Sequence, residues 1–169
     1  WYGDATCATF SGLHDQDWLL YRYPSFYEKY KVDVRLGARV EEIDRAAKSV
    51  RLSNGAEISY DRLAIATGTR TRLLPVPGAD GPGVFYIRTL HNVDRLRKRL
   101  VDCRSAVIVG GGFIGLETAA MLVQSGIEIR LLAASDRLIP KLVAGEVASF
   151  LLDQHLLHGV NIVLQAQVS

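Results

Sequence analysis

Only two cysteines occur in this chain, Cys7 and Cys103, and neither has a second cysteine at C-x-x-C or C-x-x-x-x-C spacing. That excludes a zinc site or a redox dithiol within these residues, and it fits a reducing, cytoplasmic compartment. No apolar run reaches the roughly 18 residues of a membrane-spanning helix, and Trp1-Tyr2-Gly3-Asp4 is no signal peptide. Charge is nearly balanced at +2, so no nucleic-acid or acidic partner is expected. The single methionine is Met121, which suggests a sequence that starts inside a longer protein. His14, His91, His155 and His158 share no metal-ligand spacing, so no metal is expected and the histidines read as structural. What remains, 49% hydrophobic and 22% charged, is an ordinary globular composition with room for one domain or two small ones.

The most informative stretch runs from Val107 to Ala120. An apolar strand meets glycines spaced G-x-G-x-x-G at Gly110, Gly112 and Gly115, and a helix follows. Gly110 makes the tight turn, Gly112 lets a pyrophosphate approach the backbone, and Gly115 lets the helix pack closely on the strand. The phosphates then face a helix N-terminus, whose free N–H groups and dipole favour negative charge. A second strand at Ile127–Leu132, a helix over roughly Gly145–Leu157 and a strand at Val160–Leu164 complete a β-α-β-α-β unit, one mononucleotide-binding half of a Rossmann domain. Within the second helix Val147, Phe150, Leu151, Leu156 and Leu157 are the core candidates.

About a hundred residues precede that motif and build something else. Pro24 to Tyr30 can form a short helix anchored by Phe26, Tyr27 and Tyr30. Strands are expected at Val32–Leu36, Arg39–Asp44, Ser49–Ser53, Ala56–Ser59 and Arg62–Ala66, with Asn54-Gly55 as a hairpin turn in which both residues tolerate positive φ. Prolines and glycines between Arg70 and Val84 mark a connection between structural units. From Thr89, a capable N-cap, a helix carries Leu90, Val93, Leu96 and Leu100 on one face. The intervening Arg95, Arg97, Lys98 and Arg99 read as a solvated face.

Four segments together resemble one family. They are Val34–Gly37 with Val40; Tyr60–Gly68, ending Ala66-Thr67-Gly68; Pro77–Asp80 with Ile87–Leu90; and Gly110–Ala120. In this order, with some 42 residues from Gly68 to Gly110, the chain from about Ser11 onward resembles the FAD-dependent pyridine nucleotide-disulfide oxidoreductases, and within them the ferredoxin and rubredoxin reductase and apoptosis-inducing-factor-like group. The resemblance implies an α/β fold in which residues 1–103 are part of an FAD-binding Rossmann-like domain with a β-meander. Residues 104–169 would be the first half of an NAD(P)H-binding Rossmann domain. It implies that Val40 contacts the FAD adenine through its backbone, that Ala66, Thr67 and Gly68 line the FAD, and that Arg88 hydrogen-bonds it. Gly110, Gly112, Phe113, Ile114 and Gly115 would hold the NAD(P)H pyrophosphate, and Glu117 would lie near the nicotinamide where it meets the flavin. By default, Glu117 would instead offset the dipole from the first helical turn.

The function implied is hydride transfer from NAD(P)H to FAD, with electrons passed on to a ferredoxin- or rubredoxin-like iron–sulfur protein. The absence of a C-x-x-C between Thr69 and Val109 separates this chain from the low-molecular-weight thioredoxin reductases. Three departures stand against the family pattern. Its FAD glycine motif is missing; Tyr2 and Cys7 stand near where an arginine and a lysine are expected; and Ala133 occupies the place of a ribose-binding carboxylate. Arg137 and Lys141 could meet a 2′-phosphate, but neither directly follows the strand, and the balance leans to NADH. The alternative reading is a degenerate NAD(H)-binding regulatory protein without reductase activity.

Overall fold

The structure, a computed structural model, describes residues 20–169. Tyr2, Cys7 and His14 therefore lie outside the described residues. Two compact units divide the rest, Leu20–Arg70 and Thr71–Ser169.

The smaller unit opens with α1 (Pro24–Lys29), which has proline in its first turn, where the missing N–H costs nothing. Phe26 packs edge-on against Tyr27 and tilted against Tyr30, yet no residue of α1 is buried. The three aromatics therefore cluster with one another and do not anchor a core. A meander follows: β1 (Val40–Asp44), β2 (Ser49–Leu52) and β3 (Glu57–Ser59), paired antiparallel in that order. Asp44 Oδ1 accepts from the amides of Ala46 and Ala47 and so shapes the first turn. Val50 and Leu52 are buried on one face. On the other, Arg51 donates to Glu42, and that bond and charge hold its pKa above the usual arginine value.

The second turn differs from the expected one. Only Gly55 has positive φ, at 82°, and its N–H bonds to Leu52 O while Leu52 N–H bonds to Ala56 O. That is a three-residue loop closed by a glycine bulge, so Asn54 need not enter the left-handed region. Val32–Leu36 and Arg62–Ala66, expected as strands, are neither helix nor strand. Among the described residues no neighbouring strand pairs with them, and a strand exists only through its ladder.

The larger unit begins with the proline- and glycine-rich connection, where Tyr86 Oη donates to Ala79 O and accepts from Leu74 N–H. α2 (Leu90–Leu100) starts with a capping box. Thr89 Oγ1 accepts from Asn92 N–H, and Asn92 Oδ1 accepts from Thr89 N–H. Thr89→Ala should lower stability by about 1 kcal/mol, measured by chemical denaturation, because it leaves a first-turn amide unsatisfied. No measurable loss would show that the cap is replaced by water.

β4 (Ser105–Val109), α3 (Phe113–Gln124), β5 (Glu128–Leu132), α4 (Gly145–Leu157) and β6 (Asn161–Val163) then alternate. The three strands pair parallel in the order β4-β5-β6, as the sequence pattern predicts, with Val107 opposite Arg130 and Val109 opposite Leu132. Each helix is closed by the same six-residue lock. Gly126 N–H bonds to Val123 O and Ile127 N–H to Leu122 O; Gly159 N–H bonds to Leu156 O and Val160 N–H to His155 O. Buried Ile127 and Val160 are the apolar residues that follow each glycine and lead the chain back into the sheet.

Ile129 and Leu131 on the central strand are fully buried, each contributing roughly 1.5–3 kcal/mol. They join Val93 and Leu96 of α2 and Leu116, Ala119 and Leu122 of α3 in one core. The opposite sheet face is open, with Val107 61% exposed. On α4 the expected core set is largely displaced. Val147, Phe150, Leu156 and Leu157 are exposed, whereas Ala148 is buried and Leu151 and Leu152 pack against the core. Ala148 is the most buried residue of the helix, and four of the five expected core residues lie on its outer face.

Candidate functional site

The site grows from the end of β4. Gly110 N–H still bonds to Leu132 O, so the turn starts with its first residue fastened to β5. Gly110 then takes φ +122°, a conformation that side chains resist. Gly112 is the N-cap of α3 in extended backbone, and no side chain caps the helix there. The first-turn amides are therefore left facing the open side of the turn, and a Cβ built on Gly112 meets no atom within 4 Å. That combination is a cradle for an anion that comes close to backbone.

Gly115 serves the fold. A Cβ there would overlap Gly110 O, with Ile108 Cγ2 at 3.6 Å. The helix thus crosses the strand end at backbone distance, the task expected of the third glycine.

Gly111 carries a constraint that the motif pattern does not reveal, because it occupies a free position of G-x-G-x-x-G. Its Cβ would stand 2.8 Å from Ala133 Cβ and 3.0 Å from Leu138 Cδ2. The only sequence signal is that Gly111 completes a run of three glycines. Gly111 O accepts from Ile139 N–H at 3.1 Å, so the loop after β5 is pinned onto the turn. Ile139 is buried and held at φ +46°, a strained state for a β-branched residue costing about 1–3 kcal/mol.

Between the turn and this loop runs a groove of about 320 Å³, reaching from Gly110 and Gly112 past Ala133 and Ser135 to Arg137 and Lys141. Ala133 is 2% exposed and continues the ladder to β6, its N–H bonding to Val163 O. Arg137 Nη2 donates to Pro140 O, which fixes one edge of the guanidinium beside the groove.

Gly110, Gly112, Phe113, Ile114, Gly115 and Glu117 are brought together at this turn, with Phe113 and Ile114 exposed. Glu117 is half-buried and is the fifth residue of α3, so it lies beyond the first turn where a dipole role was expected. His155 ties α4 to α3 through Nε2, 3.2 Å from Leu116 O, while Nδ1 lies 2.8 Å from Leu151 O. The residues assigned to FAD are placed differently. Val40 is exposed on β1, opposite Leu52, and Ala66, Thr67 and Gly68 lie exposed in an irregular segment of the smaller unit. Arg88 is exposed in the larger unit, immediately before the cap of α2. Val40 and Ala66–Gly68 thus belong to the smaller unit and Arg88 to the larger, while the glycine turn leaves backbone room for a dinucleotide pyrophosphate. No three His, Cys, Asp or Glu side chains cluster as metal ligands among the described residues, and no helix there is long and apolar enough to cross a membrane.

The family model for pyridine nucleotide-disulphide oxidoreductases matches residues 11–169. Rhodocoxin reductase of Rhodococcus erythropolis is 36% identical over 154 residues, 91% of this chain and 36% of the relative. Among solved structures, the ferredoxin reductase for the CYP199A2 system from Rhodopseudomonas palustris is 31% identical, with a TM-score of 0.90 over 99% of this chain and 41% of its own. Putidaredoxin reductase, in its covalent complex with putidaredoxin, gives 32% and 0.87 over 99% and 41%. The chain thus spans little more than a third of the length of the curated relative and two fifths of the solved structures. A strand, glycine turn and helix built at backbone contact, inside a match that covers nearly the whole chain, place it: it belongs to the pyridine nucleotide-disulphide oxidoreductase family.

Proposed function

We propose that the protein is an FAD-dependent NAD(P)H oxidoreductase of the ferredoxin reductase kind, delivering electrons to a small iron–sulfur protein of the ferredoxin or rubredoxin type. The observation that carries this reading is the open cradle at Gly112, at the N-terminus of α3 and beside the groove to Lys141. There the amides of Phe113, Ile114 and Gly115 would hold a pyrophosphate, with NADH among the donors. Residues 1–103 then belong to the flavin-binding part and residues 104–169 to the first half of the nicotinamide-binding part. A bound flavin would supply two-electron acceptance and one-electron release, and the chain supplies position and polarity. Val40, Ala66, Thr67, Gly68 and Arg88 would contribute to a flavin site. Glu117, one residue into the second turn of α3, would set the polarity near the nicotinamide. The partner class follows from relatives named for rhodocoxin and putidaredoxin, the latter solved in a covalent complex with its partner. We place the protein in the cytoplasm, in keeping with its isolated cysteines.

The test is to purify the intact protein and add NADH without oxygen. Loss of flavin absorbance, followed by its return on adding an oxidised ferredoxin, is the expected result. A colourless protein that nevertheless binds NADH would favour a regulatory nucleotide-binding role. Arg88→Ala should in addition reduce flavin content on purification, through loss of a charge-assisted bond worth about 1.5–3 kcal/mol. Unchanged flavin content would remove Arg88 from the site.

A further inference from the structure

Two histidines near the C-terminal end of α4 share one local contact and differ in a second. His158 Nδ1 lies 2.7 Å from Gln154 O and His155 Nδ1 lies 2.8 Å from Leu151 O, each reaching a carbonyl one turn back. His158 is exposed, and its Nε2 meets no partner among the described residues. His155 is half-buried, and its Nε2 crosses to Leu116 O of α3 at 3.2 Å. Carbonyl oxygens only accept, so the His155 ring satisfies both partners with a proton on each nitrogen. The cross-helix bond is then charge-assisted.

Leu116 is a sensitive place to pull. Its own N–H closes the first turn of α3 on Gly112 O at 3.0 Å, so the residue that His155 holds is one hydrogen bond from the open glycine of the cradle. Its carbonyl belongs to the same peptide unit as the N–H of Glu117. A second tie joins the same two parts of the chain. Ile139 N–H bonds to Gly111 O, and from Ile139 the groove loop runs on into α4. The loop and α4 are thus fastened to the glycine turn at one end and to the first turns of α3 at the other. The apolar contacts of Leu116 and Ala119 hold α3 on the sheet but are non-directional. A hydrogen bond has a preferred angle, so the His155 bond resists a roll of the helix that those contacts would allow. We infer that His155 is a positioning residue for the nucleotide: through Leu116 O it aligns the first turn of α3 so that the amides of Phe113, Ile114 and Gly115 meet a pyrophosphate. Bonds from those amides weaken steeply once their angles open, which is how a histidine of α4 governs affinity at the N-terminus of α3.

This inference rests on the nucleotide-binding reading above, and the experiment separates the two. Titrate the intact protein and three variants with NADH by fluorescence, and record a thermal melt of each. His155→Leu keeps apolar bulk and loses both bonds; it should bind NADH about tenfold more weakly. His158→Leu loses the same local bond and should keep the affinity of the unmodified protein. His155→Gln, whose amide can donate one neutral bond, should recover affinity to within about threefold. In the unmodified protein, isotopically labelled at the histidine ring nitrogens, the Nε2–H of His155 should give a slowly exchanging NMR signal. That signal should be absent from His155→Gln and should shift on saturation with NADH. Unchanged affinity in His155→Leu overturns the inference, even if its melt is lowered, because the residue then serves the fold alone. Equal weakening in His155→Leu and His158→Leu, or a His155→Gln variant as weak as His155→Leu, also overturns it. Should His155→Leu fail to fold, the ring signal decides: its absence, or its indifference to NADH, is fatal. If the unmodified protein binds no NADH, the nucleotide reading fails and takes the inference with it; if it binds NADH and any of the other adverse results is found, only the inference falls.

Discussion

Gly115→Ala should destabilise the larger unit more than any other single methyl added to the glycine turn. The added carbon would overlap Gly110 O, and behind it stand Gly110 C at 3.2 Å and Ile108 Cγ2 at 3.6 Å. The nearest neighbour is backbone, and that backbone is committed. Gly110 N–H is bonded to Leu132 O, and the turn continues into Gly111, which has no room to move against Ala133 and Leu138. Relief requires α3 to lift from the sheet, which would pull Leu116 and Ala119 away from Ile129 and Leu131. Overpacking commonly costs about 1–3 kcal/mol, and this site sits at or beyond the upper end because no flexible side chain can yield. For a unit of this size that corresponds to a fall in Tm of roughly 10 °C or more. Gly83→Ala is the control, since a Cβ there meets no atom within 4 Å and needs no unusual φ. Circular dichroism melts of the two variants decide the matter; a Gly115→Ala melt matching the control would mean the helix and strand are not at backbone contact.

What could be read in advance, and what could not, divides by the range of the interaction. The turn from β4 into α3 and the Thr89 cap are each determined within about six residues of chain, and they sit where the pattern puts them. The parallel pairing of β4 with β5 follows from their connection by a helix. Val32–Leu36 and Arg62–Ala66 carry strand-like composition too, but a ladder needs a partner that local sequence cannot supply. The inward face of α4 was hidden for another reason. Apolar residues occur on both its faces, so periodicity could not choose Ala148 over Val147 and Phe150. The restriction on Gly111 is non-local as well, since Ala133 and Leu138 reach it across more than twenty residues of chain. In the candidate site, then, the glycine turn itself was legible, and the residues that hold it in place were less so.

Gly112→Val should do the opposite of Gly115→Ala, removing nucleotide binding and sparing the fold. The backbone at Gly112 is extended, at φ −90° and ψ 179°, which valine adopts without strain. Its Cβ would point into open space, so no protein atom is displaced. The cost to stability is confined to a poorer N-cap, about 1 kcal/mol or less. The space entered is, however, the one through which an anion would reach the first-turn amides of α3. Two branching methyls there would push a pyrophosphate outward, and each charge-assisted bond lost is worth about 1.5–3 kcal/mol. Losing two such bonds weakens NADH and NADPH binding by roughly 100-fold or more. Bound flavin should be retained, because its proposed contacts at Val40, Ala66–Gly68 and Arg88 are elsewhere in the chain. Fluorescence titration of the oxidised protein with NADH, alongside flavin content and a thermal melt, separates the possibilities. Wild-type NADH affinity would show that the pyrophosphate does not lie at Gly112. Loss of affinity together with a collapsed melt would show instead that Gly112 serves the fold and that the space beside it is not a ligand's.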